Sequence, residues 1–155
     1  MSDLSDLYQE LILDHNKHPR NQRRIEPCDR RAEGHNPLCG DRVTVYATVR
    51  DGQLLDVAFE GQGCAICTAS SSLMTEGVKG RSESEARALF ARVHALLTAP
   101  QEEAALRAEG LGKLAVFAGV SEFPMRVKCA SLPWHTLIAA LDARSGTVKT
   151  EEEAG

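Results

Sequence analysis

The sequence predicts an α+β fold in which a small antiparallel β-sheet of about three strands packs against several α-helices. Three observations indicate this: alternating apolar and polar residues on both sides of a turn at Asp51 and Gly52, and helical periodicity both before and after that region. The chain has 155 residues, 43% of them hydrophobic, which is enough for one globular domain with a core. We expect a single domain over residues 1–144 and a polar, disordered tail over residues 145–155.

The N-terminal segment predicts an amphipathic helix over residues 3–17, because its apolar residues recur at the spacing of one helix face. These residues are Leu4, Leu7, Tyr8, Leu11 and Ile12. Pro19 ends the helix. Residues 20–37 are polar and contain proline, so they predict a loop or a short edge strand.

A β-hairpin follows. Valine and alanine alternate with polar residues over residues 42–49, Asp51 and Gly52 suit a tight turn, and Leu55, Val57 and Phe59 resume the alternation. One face of the hairpin must be covered by helices, because a two-stranded hairpin is not stable alone. The Gly-Gln-Gly run at residues 61–63 ends the second strand.

The rest of the chain predicts helices. A first one, rich in small residues, covers residues 65–79, and Ser82 caps a second. Its expected buried stripe is Ala86, Leu89, Phe90, Val93 and Leu97. Residues 100–109 predict a short helix or an irregular excursion of the chain, and residues 111–120 predict another short helix. After a break at Phe123 and Pro124, Ser131 is expected to cap the last helix, with Pro133 in its first turn.

Composition excludes several functions. The formal net charge of −4 argues against nucleic-acid binding, which usually needs a basic face. There is no signal-sequence pattern, and no apolar stretch reaches the roughly 18 residues of a membrane span. We therefore expect a cytoplasmic protein with neither a membrane nor a nucleic-acid partner. Five cysteines, an odd number, favour metal or sulfur chemistry over disulfides in that compartment.

Cys39, Asp41, Cys64 and Cys129 form a plausible metal-binding set. Three thiolates and one carboxylate suit zinc or an iron–sulfur centre better than magnesium or calcium. An antiparallel hairpin returns its chain to where it started, so the loop with Cys39 and Asp41 should meet the loop with Cys64. Cys129 is expected just before the last helix. A closed four-ligand set is typical of structural zinc, yet ligands on loops could also release one thiolate as a nucleophile.

Local sequence also favours thiolates. Cys64 precedes a helix N-terminus, and Cys129 follows Lys128 and lies near Arg126, so positive charge should lower both thiol pKa values. Cys28 is expected to be a packing residue or simply exposed. Cys67 makes a C-x-x-C pair with Cys64, which is typical of thioredoxin-type redox sites, but here a hairpin and not a parallel strand precedes it. Cys67 could instead be a spare ligand or a resolving thiol.

Taken together, these motifs resemble the IscU/NifU-type iron–sulfur assembly proteins over nearly the whole chain, from about Leu7 to Leu141. The opening-helix residues that carry the resemblance are Leu7, Tyr8, Leu13, Asp14, His15, Pro19, Arg20 and Asn21, followed by the Pro-Leu-Cys-Gly-Asp run at 37–41 and the Gly-Gln-Gly-Cys-Ala-Ile run at 61–66. The resemblance implies an α+β fold with a small antiparallel sheet packed against helices.

Three features resemble the SufU branch of that family. Lys128 stands where scaffold proteins have a histidine, Cys64 and Cys129 are 65 residues apart, and Leu-Pro-Trp follows at 132–134. The resemblance implies zinc held by Cys39, Asp41, Cys64 and Cys129. It further implies a sulfurtransferase-like protein that activates a SufS-type cysteine desulfurase and accepts its persulfide sulfur on Cys39, rather than a stand-alone enzyme. A desulfurase histidine would take the place of Cys39 on the zinc, and downstream Suf scaffold proteins would follow as partners.

Other positions are less defined by the resemblance. Arg126 and Lys128 would be charges near the metal or docking charges. Cys67 stands where serine is usual; it could compete for sulfur, form a disulfide with Cys64, or have no role, and the last is the expectation.

Two other functions stay open. An IscU-type scaffold would assemble a transient [2Fe–2S] cluster on the same residues, although the missing histidine before Cys129 weighs against it. A structural zinc module for protein contacts is the second, although the C-G-D loop and the lack of compact C-x-x-C ligand pairs weigh against it.

Overall fold

The computed structural model describes residues 3–121, 123–143 and 147–149. Its strands are β1 (Arg30–Asn36), β2 (Asp41–Arg50), β3 (Gln53–Gln62) and β4 (Thr147–Lys149). Its helices are α1 (Asp3–Lys17), α2 (Ala65–Val78), α3 (Glu83–Thr98), α4 (Gln101–Ala108), a 3-10 helix (Gly112–Val116), α5 (Phe117–Val120) and α6 (Pro124–Leu141). β1, β2 and β3 pair antiparallel, and the short β4 adds to β1 in parallel. The α+β class is confirmed.

The hairpin of β2 and β3 supplies one wall of the core. Its turn is confirmed at Asp51 and Gly52, both with positive φ, as a tight hairpin turn requires. α2 and α6 cover the inner face, as expected for a sheet that must bury its apolar side. The largest side chains that this packing buries completely include Leu54, Leu73, Met74, Leu132, Trp134 and Leu137.

The predicted alternation in β3 is wrong at one position. Thr48 pairs with Asp56, but Val49 then pairs with Leu54, so Leu55 is skipped as a bulge. The bulge reverses which side chain points inward: Leu54 is 0% exposed and Leu55 is 55% exposed. A strict two-residue alternation cannot predict this, because the extra residue in the bulge moves the residues of β3 that precede it to the opposite face of the sheet.

The polar segment before the hairpin contains a full strand, β1, where the sequence suggested a loop or a short edge strand. β1 lies inside the sheet because β2 and β4 flank it. Its inward residues are small, Ala32 and Gly34, since α6 lies very close. A Cβ on Gly34 would overlap the Thr136 hydroxyl and lie 2.9 Å from a Leu132 methyl carbon. The strand therefore has no run of large apolar residues to reveal it.

The last helix begins at Pro124 and not at Ser131. Pro124 occupies the first turn, where its missing N–H costs nothing, and Pro133 lies inside the helix. The Ser131 hydroxyl donates to the Lys128 carbonyl within the helix, so Ser131 is not a cap. The other predicted helices are present, and Ser82 forms the expected cap together with Glu85.

The predicted tail is only partly described. Thr147–Lys149 form β4, against the expectation of disorder, and the remaining residues from 144 onward lie outside the described residues. Among the described helices, none is long and apolar enough to cross a membrane.

α1 docks on α2 around a buried histidine, His15. The His15 Nδ1 lies 2.7 Å from the Ser72 hydroxyl, which accepts the Arg20 backbone N–H at 2.8 Å. The other ring nitrogen, Nε2, is buried 4.0 Å from a Glu76 oxygen and has no hydrogen-bond partner among the described residues. Burial and the nearby Arg20 lower the pKa of His15, while Glu76 opposes the shift.

We predict that Leu54→Ala lowers the free energy of unfolding by about 2–5 kcal/mol, because it leaves a cavity in the core. The matched variant Leu55→Ala should change it by no more than about 0.5 kcal/mol, because the bulge exposes that side chain. Urea unfolding of both variants measures this. Equal losses would contradict the bulged register.

We predict that His15 makes the protein less stable in mild acid. Its pKa is lowered in the folded state, so the unfolded chain binds the proton first and stability falls as the pH drops below the ordinary value of 6.5. His15→Asn, which keeps an acceptor for Ser72, should flatten this pH dependence. His18→Asn, which replaces an exposed histidine, is the control and should leave the dependence of the unfolding free energy on pH unchanged. Urea titrations at several pH values measure this dependence for both variants.

Candidate metal centre

The start of β2 and the end of β3 lie side by side at the open end of the hairpin. Arg42 pairs with Gln62, which places Asp41 and Cys64 just beyond the paired residues. The Cys64 N–H donates to Asp41 Oδ1 at 2.8 Å. Gly63 makes this approach possible, since a Cβ there would lie 2.8 Å from the same carboxylate oxygen. The predicted convergence of these loops is confirmed.

Three of the four predicted ligands already form a cluster. One sulfur each from Cys39 and Cys129 and one carboxylate oxygen of Asp41 lie within 4.8 Å of one another. Sulfur ligands on tetrahedral zinc are roughly 3.8 Å apart at a Zn–S distance of about 2.3 Å, so only small side-chain movements are needed. The fourth predicted ligand, Cys64, is outside that group of three, although its thiol is close enough to that of Cys129 for each to shift the pKa of the other. These residues fit zinc or an iron–sulfur centre, and their roles as ligands stay predictions.

The donors differ in how tightly the fold holds them. Asp41 is 0% and Cys129 2% exposed, and Cys64 is half-buried as the N-cap of α2. Cys39 is exposed, on the four-residue turn between β1 and β2. One side of the site is thus built into the core, and the other is carried by a turn at the surface.

The thiols do not share one protonation state. The Cys129 thiol donates to the Cys64 sulfur, which lowers the pKa of Cys64 to about 6 and raises that of Cys129. The backbone amides of Cys67 and Ile66, at the start of α2, add to the lowering at Cys64. Burial raises the pKa of Cys67, and the Asp41 charge adds to this. Of the two thiols, Cys64 is therefore the more acidic.

Cys129 lies in the second turn of α6, and not in a loop before the last helix as expected from the sequence. The difference follows from the earlier helix start at Pro124. A helix holds this ligand more rigidly than a loop would. Arg126 and Lys128 lie on the same helix; Arg126 is exposed, and its guanidinium stands 4.4 Å from the centre of the Phe123 ring.

The remaining cysteines are separated from the donor set to different degrees. Cys67 is buried one turn into α2. It lies directly behind the site, since a Cβ built on Gly63 would be 3.2 Å from the Cβ of Cys67. Cys28 is half-buried in the segment before β1 and joins no metal-binding cluster among the described residues.

Sequence reasoning missed Asn36. Its side chain is 0% exposed, and its Nδ2 donates to Asp41 Oδ2 at 3.2 Å and to the Cys129 sulfur at 3.5 Å. Its Oδ1 accepts the Leu38 N–H at 3.3 Å and so anchors the turn that carries Cys39. The available signal was its position: Asn36 and Asp41 close the β1–β2 hairpin as a pair, but only once residues 30–36 are recognised as a strand.

Comparison with known proteins agrees with this geometry. The family model of the NifU-like N-terminal domain matches residues 7–130. The chain is 37% identical over 141 residues to the iron–sulfur cluster assembly scaffold protein IscU of Streptococcus pyogenes, covering 91% of this chain and 86% of that protein. It is 34% identical over 137 residues to the zinc-dependent sulfurtransferase SufU of Bacillus subtilis, covering 88% and 90%.

A solved structure shares the fold as well. The crystal structure of SufU from Fervidobacterium islandicum AW-1, described as an iron–sulfur cluster assembly scaffold protein for the SUF system, superposes with a TM-score of 0.75 at 36% identity. The match covers 85% of this chain and 94% of that one.

We predict that Asn36→Ala weakens zinc binding about 10–100-fold, because the amide orients Asp41, Cys129 and the Cys39 turn together. Competition with a chromophoric chelator measures the affinity. Asn16→Ala, a half-buried asparagine on α1, is the matched control and should bind zinc as tightly as the wild type. If Asn36→Ala lowers stability in urea but leaves zinc affinity unchanged, the residue is only structural.

Proposed function

The chain belongs to the NifU-like N-terminal domain family, and from this premise we propose that it is an iron–sulfur cluster assembly protein that receives sulfur from a cysteine desulfurase. In the finer form of the proposal, it is a zinc-dependent sulfurtransferase of the SufU kind. Cys39 accepts the sulfur as a persulfide, and Asp41, Cys64 and Cys129 keep hold of the metal. A SufS-type desulfurase is the donor and a Suf scaffold protein the next partner, in the cytoplasm.

The observation that supports this best is the asymmetry of the donor set. Cys39 is exposed on a surface turn, whereas Asp41 and Cys129 are buried and bonded to Asn36. A ligand on a four-residue surface turn can leave without moving the buried donors, which lie on β2 and α6. A purely structural site would gain nothing from one exposed ligand.

Each donor then has a distinct task. A bound zinc ion would keep its thiol ligands deprotonated at neutral pH. Asp41, Cys64 and Cys129 would hold the metal while Cys39 left the set, and a histidine of the desulfurase would occupy its place. The freed Cys39 thiolate attacks the outer sulfur of the desulfurase persulfide. A sulfur–sulfur bond forms at Cys39, the bond to the desulfurase cysteine breaks, and that cysteine departs as a thiolate.

Charge near the site suits a protein partner. The chain carries a formal net charge of −4, yet Arg42 and Arg126 are exposed beside Asp41 and at the start of α6, and Lys128 follows one residue before Cys129. We propose that these cations guide an acidic rim of the desulfurase, since complementary charge raises association rates.

A second candidate is a scaffold that assembles a [2Fe–2S] cluster on the same four residues. It is supported by the similarity to proteins named as scaffolds, and three thiolates with one carboxylate suit iron as well as zinc. Lys128 in place of a ligating histidine weighs against it. Anaerobic purification followed by metal analysis separates the two: stoichiometric iron with sulfide supports the scaffold, and zinc supports the sulfur acceptor.

We predict that the zinc-loaded protein raises alanine formation from cysteine by a SufS-type desulfurase, and that Cys39→Ser reduces the rate to that of the desulfurase alone. The variant should keep its fold and bind zinc more weakly, because three donors remain. Cys28→Ser is the matched control and should stimulate like the wild type. Full stimulation by Cys39→Ser would overturn the acceptor role, and zinc binding without any stimulation by the wild type would leave a structural zinc module.

A further inference from the structure

Cys64 and Cys67 stand on the same face of one helical turn. Cys64 is the N-cap of α2 and Cys67 lies three residues on, in the first turn. Helix geometry puts residues at this spacing about 5 Å apart between Cα atoms. A disulfide needs roughly 4.4–6.8 Å between its Cα atoms, so the pair can close without moving any other element.

Cys67 is the one cysteine beside the centre that a four-ligand metal site leaves uncommitted. Cys39, Cys64, Cys129 and Asp41 already supply four donors, which closes a tetrahedral site. Cys67 is 3% exposed and packs against Gly63, the same glycine that Asp41 approaches. Bulk oxidants therefore reach Cys64, which is half-buried, before they reach Cys67.

We propose that Cys64 and Cys67 are an oxidative modification site, in which Cys67 acts as the resolving thiol and the disulfide displaces the metal. The proposal rests on the ligand assignment of the proposed function but not on sulfur transfer. The reactant class is a peroxide.

The chemistry balances in two steps. The Cys64 thiolate attacks one peroxide oxygen; the O–O bond breaks, the sulfur is oxidised to a sulfenic acid by loss of two electrons, and hydroxide leaves. The Cys67 thiol then attacks the Cys64 sulfur. A sulfur–sulfur bond forms, and the sulfenic hydroxyl leaves as water with the thiol proton. The sum is one thiolate, one thiol and one hydrogen peroxide giving one disulfide, one hydroxide and one water.

The other thiols of the centre are poorer partners for Cys64. Cys39 lies on the β1–β2 turn, so its disulfide with Cys64 would draw two separate elements together, whereas the Cys129 thiol on α6 already lies close to that of Cys64. Each of them also holds the metal, so its reaction would need a second metal–sulfur bond to break. Cys67 needs neither, because it belongs to the same turn as Cys64 and is not one of the four proposed donors.

Loss of Cys64 from the donor set should release the metal reversibly. Cys39, Asp41 and Cys129 remain as three donors, and zinc binding should weaken accordingly. A dithiol reductant would restore the Cys64 thiolate and with it the site. Without Cys67, the sulfenic acid has no resolving partner in its own turn and can proceed to the sulfinic acid, which thiols do not reverse.

The test treats zinc-loaded wild type, Cys67→Ser and the control Cys28→Ser with a small excess of hydrogen peroxide, followed by alkylation and tryptic mapping without reduction. Cys64 and Cys67 share the tryptic peptide 51–79, whereas Cys39 lies in 32–42 and Cys129 in 129–144. We expect peptide 51–79 of the wild type and of Cys28→Ser to be unalkylated and lighter by two hydrogen atoms. Zinc release, followed with a chromophoric dye, should accompany it and be reversed by dithiothreitol.

Cys67→Ser should still lose zinc to peroxide but should regain much less after reduction, with Cys64 found as sulfinic acid. Disulfides that join two different tryptic peptides in the wild type would overturn the proposal, as would equal recovery of zinc binding by Cys67→Ser and wild type. The peptide mapping of the wild type identifies the disulfide partners by itself, even if Cys67→Ser folds poorly. None of these readouts uses a desulfurase, so failure of sulfur transfer would be seen separately.

Discussion

The antiparallel register of β2 and β3 is the constraint on which the candidate metal centre depends. Pairing of Arg42 with Gln62 sets Asp41 opposite the start of α2, and the Cys64 N–H then bonds the Asp41 carboxylate at 2.8 Å. A slip of one residue would turn Asp41 to the other face of the sheet and break this bond. The buried apolar face of the hairpin opposes such a slip, because it would expose Val43, Val45 and Val57. Core packing therefore specifies the position of a carboxylate at the edge of the sheet.

Burying a carboxylate costs free energy unless hydrogen bonds compensate it. Here the Cys64 amide and the Asn36 side chain supply donors to the two oxygens of Asp41. Asn36 also bonds the Cys129 sulfur and the turn that carries Cys39, so one buried amide couples three elements of the fold. The structure thus combines a rigid side, formed by β2, α2 and α6, with a single exposed ligand. This division makes the exchange of Cys39 during sulfur acceptance physically reasonable within the proposed function.

The start of α2 carries both a predicted metal ligand, Cys64, and a second thiol, Cys67. The hydrogen bond from Cys129 and the first amides of α2 lower the pKa of Cys64, while burial raises the pKa of Cys67 one turn further along. C-x-x-C redox sites use such a pair, in which the first thiol has a lowered pKa and the second is buried. In this protein it follows a hairpin and adjoins the candidate metal centre, and under the proposed oxidation the disulfide and the metal would compete for the same sulfur atom. The expectation from sequence that Cys67 has no role is replaced by that proposal.

The sequence by itself determined the α+β class, the β2–β3 hairpin with its turn, most helices and the donor types of the centre. These follow from local patterns: two-residue alternation, helical spacing, and the chemistry of cysteine and aspartate. Only the tertiary structure decided the strand character of residues 30–36, the inward turn of Leu54, the helical position of Cys129 and the role of Asn36. Each depends on a partner distant in sequence, such as the close approach of α6 to Gly34 or the pairing of Asn36 with Asp41. Burial and hydrogen-bond partners are properties of the assembled fold, so a pattern read along the chain cannot contain them.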